Sequence, residues 1–119
     1  MNKFRFLEWN VYKESKELSK NVLKIYLKLP GDLKFSIGNQ LVRSTISISL
    51  NIAEGCGKDS DKDFNRFLDI SMGSSYETLA GLDILHDNGF IDKVTFDENY
   101  KKIESITKQL GGFKKKLKS

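Results

Sequence analysis

One cysteine, one histidine and one proline are all that 119 residues contain of these types, and long apolar runs are missing altogether. With Cys56 alone, no disulfide can close within the chain, and a reducing cytoplasm is the expected setting. With His86 alone, neither a His-rich metal site nor a Cys-His zinc site can form in one chain. No run approaches the roughly 20 apolar residues that span a bilayer, so no membrane contact is expected. The N-terminal stretch Met1 to Asn10 has no apolar core of signal-peptide length before charge returns. Cys56 and His86 lack the third member and oxyanion donors that a nucleophile and its base require. Ser74 and Ser75 have no histidine at a persuasive position. The expectation is a protein that is not an enzyme, with no cofactor and no metal.

What is present is charge and helical periodicity. Charged residues make up 30% of the chain and apolar residues 39%, which excludes a disordered polymer. The length suits one domain, residues 1–119, burying roughly two-thirds of its unfolded surface. The net charge of +4 is unevenly spread. Residues 1–34 and 92–119 each carry eight basic against four acidic side chains, whereas residues 35–91 carry four against eight. Basic ends around an acidic middle fit a phosphate-binding surface, complementary subunit faces, or plain solvated helices.

The chain is organised around Gln40 to Gly55, where Arg43 and Glu54 are the only charges. Leu41, Ser44 or Thr45, Ile48 and Ile52 recur at three- and four-residue steps, and Val42, Ile46 and Ala53 fill other faces. A helix apolar or small nearly all round belongs inside a bundle. Ser44, Thr45, Ser47 and Ser49 are small enough for backbones to approach closely. Gly55 and Gly57 mark its end.

Before it, Trp9 to Leu29 reads as a helix with the stripe Val11, Ser15, Leu18, Val22, Ile25 or Tyr26, and Leu29. On another face Lys16, Lys20, Lys24 and Lys28 stand at four-residue steps, spanning about 18 Å. Pro30-Gly31-Asp32 ends this helix, and the next is expected from near Ser36, with Gly38 weakening its first turn. Ser60 and Asp63 resemble a capping box, so a third helix should start near Asp61 and run to about Asp87. Gly73 and Gly81 inside it suggest close helix–helix approach. Asn88-Gly89 is a stop signal. A fourth helix is placed between Thr95 and Leu117, with Gly111-Gly112 straining its continuity. The expected fold is all-α: an antiparallel up-down-up-down four-helix bundle.

Two tempting motifs fail. Asp59, Asp61 and Asp63 begin like a calcium loop, but Phe64 and Ile70 stand where glycine and glutamate are needed. Gly57-Lys58 lacks the earlier glycine of a phosphate loop, since position 52 is isoleucine. The informative polar residues are Gln40, Arg43, Asn51, Glu54, Arg66 and Glu77. Unpaired burial of Arg43 or Glu54 would be costly, so pairing of Glu54 or Glu77 with Arg66 or Arg43 is expected. Asn51 is expected to bond backbone near Gly55. A polar functional site at the bundle end is the alternative.

These residues carry a resemblance. Gln40, Arg43, Ser47 and Asn51-Ile52-Ala53-Glu54-Gly55, followed by Ser60, Phe64, Arg66-Phe67-Leu68, Gly73-Ser74 and Glu77, resemble a known pattern. It is that of the bacterial four-helix bundle proteins named for intervening sequences in 23S ribosomal RNA genes. The superfamily is shared with the accessory variability determinant of diversity-generating retroelements. The match extends from about Leu7 to Ile91, and more loosely to Leu117. Val42 replaces one of two basic residues common in the family, and Ser44, Thr45 and Ser71 stand where alanine is common. The resemblance implies a left-handed antiparallel bundle that assembles into a ring, typically a pentamer, without catalytic activity. It also implies association with nucleic acid or with a nucleic-acid enzyme such as a reverse transcriptase.

Two functions therefore compete. One is an oligomeric bundle protein that binds structured RNA or DNA through Lys16, Lys20, Lys24, Lys28, Lys101, Lys102, Lys108, Lys114, Lys115, Lys116 and Lys118. The other is a scaffold that docks an acidic or nucleic-acid-processing protein without itself touching nucleic acid.

Overall fold

Trp9 takes an extended backbone between a short 3₁₀ turn, Arg5–Glu8, and the first long helix. The computed structural model describes residues 3–117. Its long helices are α1 (Asn10–Lys28), α2 (Asn39–Cys56), α3 (Asp61–Asp87) and α4 (Lys93–Lys116), with no strand among the described residues. Leu29 leaves α1 in an extended conformation, as a residue before proline prefers.

The chain then re-enters helix at Gly31, earlier than the expected Ser36. Pro30 caps a helical turn, Gly31–Leu33, its carbonyl accepting from the amides of Leu33 and Lys34 at 3.0 and 3.1 Å. A π-helical segment, Lys34–Gly38, leads straight into α2. A Cβ on Gly38 would sit 3.1 Å from the Tyr26 ring. It would also stand 2.9 Å from the Leu33 carbonyl oxygen, so the missing side chain lets the wide turn close and lie against α1.

The other boundaries follow local chemistry. Gly57, not Gly55, caps α2. Ser60 accepts from the Asp63 amide at 3.1 Å and starts α3 at Asp61, as its spacing predicts. Gly89, with φ of +79°, takes the left-handed turn after α3. Asp92 accepts from the Thr95 amide at 2.8 Å, so α4 starts at Lys93 rather than Thr95. Gly111 and Gly112 do not interrupt α4, which runs on to Lys116.

Each helix packs against two others: α1 on α2 and α4, and α3 on α2 and α4. Paired positions run in opposite numerical senses. Ser44, Ser47 and Ile48 of α2 meet Thr78, Ser74 and Ser71 of α3, while Asn10, Glu17 and Asn21 of α1 meet Gln109, Lys102 and Asn99 of α4. The core lies along the shared axis, where Leu18, Val22, Ile48, Ile52, Leu68, Leu82, Ile106 and Leu110 are all fully buried. Each such leucine or isoleucine contributes about 1.5–3 kcal/mol.

The α2–α3 seam is built differently, from small hydroxyl residues. Ser44 meets Thr78 at 2.9 Å, Ser74 donates to Ser47 at 2.9 Å, and Ser71 donates to the Ile48 carbonyl at 3.0 Å. On the other side of α2, Ser49 meets Ser15 at 2.7 Å. No buried side-chain polar atom lacks a partner among the described residues. Gly55 and Gly81 belong to the same close approach, since a Cβ would stand 2.8 Å from Phe64 and 3.0 Å from Leu41 respectively. Gly73 does not: nothing lies within 4 Å of its Cβ position. It faces outward.

Candidate nucleic-acid interface

Lysines placed by the α1 periodicity reach solvent because the apolar stripe of the same helix turns the other way. Lys16, Lys20, Lys24 and Lys28 are all exposed. So are Lys101, Lys108, Lys115 and Lys116 of the neighbouring α4. The two helices are tied by their facing sides: Glu14 accepts from Ser105 at 2.6 Å and from Gln109 at 2.8 Å, and Asn21 donates to the buried Asn99 at 3.2 Å.

Not every expected lysine is equally available. Lys102 bonds Glu17 at 2.7 Å, and that bond, with the ammonium charge behind it, holds the Glu17 carboxyl below the usual carboxylate range. Lys114 is held by Asp69 and Asn65 of α3. Both ammonium groups therefore already serve a carboxylate of their own chain. Lys24 and Lys28 share a shallow cleft with Glu98 and Asp92, which offsets part of their charge. Lys16 lies 4.9 Å from the Tyr12 ring centroid, a cation–π contact that leaves it exposed. Lys118 lies outside the described residues.

The signature polar residues divide into two groups. Gln40, Arg43 and Glu77 line an open cleft of about 820 Å³ on the α2–α3 side, floored by Ser44, Ser47 and Ser74. Phe35, 84% exposed, stands at its mouth. Asn51 acts from below, donating to the Ser47 carbonyl at 2.8 Å and hydroxyl at 3.0 Å, so it fixes the hydroxyl that accepts from Ser74. This replaces the expected bond to backbone near Gly55.

Glu54 and Arg66 lie elsewhere on the same face. Glu54 approaches Lys58 at 4.0 Å, and Arg66 stacks 4.5 Å from the Phe67 ring centroid. The expected pairing among Arg43, Arg66, Glu54 and Glu77 does not occur; no ion pair joins them among the described residues. The reason is burial. All four are exposed, so water stabilises each charge without a partner.

Phe35 was the residue least visible to periodicity, because it lies in a π turn where the 3.6-residue spacing does not hold. The counter-ions Glu17 and Asp69 were equally hidden, since their partners are 85 and 45 residues away. Among the described residues no cluster of three His, Cys, Asp or Glu side chains could hold a metal, and no helix is long and apolar enough to cross a membrane.

Four helices, a hydroxyl-lined seam and a signature carried by α2 and α3, its apolar members buried and its charged members exposed, define a class of small all-α bundle proteins. Within that class the chain belongs to the 23S rRNA-intervening sequence protein family, whose model matches residues 8–112. It is similar to the solved structure of a protein with unknown function from the S23 ribosomal protein family of Bacteroides thetaiotaomicron. The two share 27% identity with a TM-score of 0.82, over 88% of this chain and 98% of that one. No curated protein matches the sequence.

Proposed function

We propose that this protein is a non-enzymatic, self-associating, antiparallel up-down-up-down bundle of the cytoplasm that binds the phosphate backbone of structured RNA or DNA. The observation that carries this reading is that eight lysines, Lys16, Lys20, Lys24, Lys28, Lys101, Lys108, Lys115 and Lys116, stand exposed on two adjacent helices, with Lys101 and Lys108 turned toward Met72 and Tyr76 of α3. Lysine is a flexible point charge, suited to backbone rather than base edges, so recognition is of shape. Lys102 and Lys114 contribute field but are held by Glu17 and Asp69. Self-association, for which the family resemblance implies a ring of five, would multiply a weak patch into useful avidity.

A second reading is favoured by the cleft. Phe35 at the mouth and Gln40, Arg43 and Glu77 on the walls offer an aromatic anchor beside both signs of charge. That surface suits a protein partner, such as a reverse transcriptase or another nucleic-acid-handling enzyme, better than it suits a phosphate chain.

The deciding experiment titrates a labelled structured RNA and a matched DNA duplex against the protein from low to physiological salt. Replacing Lys16, Lys20, Lys24 and Lys28 together by Gln should weaken binding and lower the log–log salt slope by roughly three to four per protomer for duplex DNA. Unchanged affinity and slope would remove the α1 stripe from the interface. Absence of binding near physiological salt would favour the protein-docking reading.

A further inference from the structure

Helices α3 and α4 line an open groove of about 560 Å³, with Met72 and Tyr76 on one wall and Lys101 and Lys108 on the other. It continues into a smaller recess of about 180 Å³, lined by Tyr76 and Tyr100 over the half-buried Leu79 and the buried Ile103. Both rings are offered to solvent, Tyr76 at 67% and Tyr100 at 44% exposure. Tyr76 has no ring contact or hydrogen bond among the described residues. Tyr100 leans on Phe96, with centroids 6.2 Å apart, and Phe96 stacks on His86 at 5.1 Å. That aromatic row backs Tyr100 without covering it.

Charge brackets the rings. Lys101 and Lys108 stand two turns apart, about 10 Å along α4, and neither joins an ion pair among the described residues. Glu104 lies between them in sequence and lines both parts of the groove. Its carboxylate repels phosphate from the middle, whereas the two ammonium groups draw phosphate to either side. The recess is smaller than the roughly 300–1,000 Å³ of a drug-sized site, so it suits a single planar ring system. A folded protein partner would need a wider apolar centre than Leu79 and Ile103 supply.

We infer that the α3–α4 groove seats one unpaired base of a bound nucleic acid, stacked on Tyr76 and Tyr100, while Lys101 and Lys108 hold the flanking phosphates. The inference rests on the nucleic-acid reading and adds a class of target to it: structured RNA or DNA that exposes an unpaired loop, bulge or end. Every base has a π-face, so the seat tolerates any sequence. Lys101 and Lys108, which face α3 rather than α1, thereby gain a role of their own.

The test compares two labelled RNAs by fluorescence anisotropy from low to physiological salt: a hairpin with an unpaired, all-adenine loop, and a fully paired duplex with the same number of phosphates. The wild type should prefer the hairpin. The Y76A/Y100A variant should bind the hairpin about tenfold or more weakly, with its log–log salt slope and its duplex affinity unchanged. Y76F/Y100F keeps both rings and should bind as the wild type does. K101Q/K108Q should instead lower the hairpin slope by about 1.4, the value for two single-strand phosphates. Circular dichroism checks that each variant keeps its helices. Equal wild-type binding of the two RNAs, full hairpin affinity in Y76A/Y100A, or equal loss on both RNAs would overturn the base seat and leave the groove to a protein partner. The phosphate-binding reading would survive those results. A wild type that binds neither RNA would overturn that reading, and the base seat with it.

Discussion

Gly55 and Gly73 stand on neighbouring helices, yet a methyl group added to each meets opposite conditions. At Gly55 it would lie 2.8 Å from Phe64 and 2.9 Å from Phe67, so the ring and the helix backbone must shift. Gly55→Ala should destabilise by about 1–3 kcal/mol, the usual cost of overpacking. At Gly73 it meets nothing within 4 Å, and alanine should gain up to about 1 kcal/mol of helix propensity. Urea midpoints of the two variants should move in opposite directions. Buried hydroxyls offer a second test. Ser15 donates to the Tyr12 carbonyl at 2.7 Å, which leaves Ser49 as the donor in the 2.7 Å contact with Ser15. Ser15→Ala orphans that hydroxyl and should cost about 1–3 kcal/mol, whereas adding Ser49→Ala should recover part of the loss. A strictly additive double-mutant cycle would show that the pair is not coupled.

Helix ends are set by side chains that hold orphan amides, and α4 shows how this couples to pH. The Thr95 amide hydrogen bond holds the Asp92 carboxyl below its ordinary range. A depressed folded value means that the stabilisation is fully present above the unfolded pKa. It is lost as pH falls through the lower folded value. Glu17, held down by Lys102, has the same sign. Thermal stability should therefore be flat from neutral pH to about pH 5 and fall below about pH 4. Asp92→Asn, which can still cap without ionising, should have a shallower acid limb in thermal melts. An identical limb would mean that other carboxylates dominate acid unfolding. At the start of α3, Ser60→Ala removes the cap and should cost about 1 kcal/mol.

At the scale of the molecule, 44 Å long and 22–23 Å across, charge and apolar surface are partitioned between sides. Helices α1 and α4 carry the exposed lysines of the proposed interface, and the α2–α3 side carries the cleft and the balanced charges. Lys102 and Lys114 separate two roles that sequence counts as one. Because each holds a carboxylate, Lys102→Gln and Lys114→Gln should lower thermal stability slightly. The salt slope of RNA binding should change less for either than for Lys16→Gln. Equal slopes for all three would mean that the bound RNA draws Lys102 and Lys114 away from their carboxylates.

Much of this protein was legible in one dimension. The three- and four-residue spacing of Val11, Leu18, Leu41, Ile48, Leu68, Leu82, Ile103 and Leu110 determined four helices and their buried stripes, because helical periodicity is a local property. Ser60 and Asp63 marked the start of α3 for the same reason, and the signature in α2 and α3 marked the family. Tertiary structure decided what depends on partners distant in the chain. It turned Arg43, Glu54, Arg66 and Glu77 outward, where they need no internal pairing. It bound Lys102 and Lys114 to carboxylates on other helices, and it left Gly73 open while Gly55 and Gly81 were packed. Spacing places a side chain on a face of its own helix. Only the packing of the other three helices determines what that face meets.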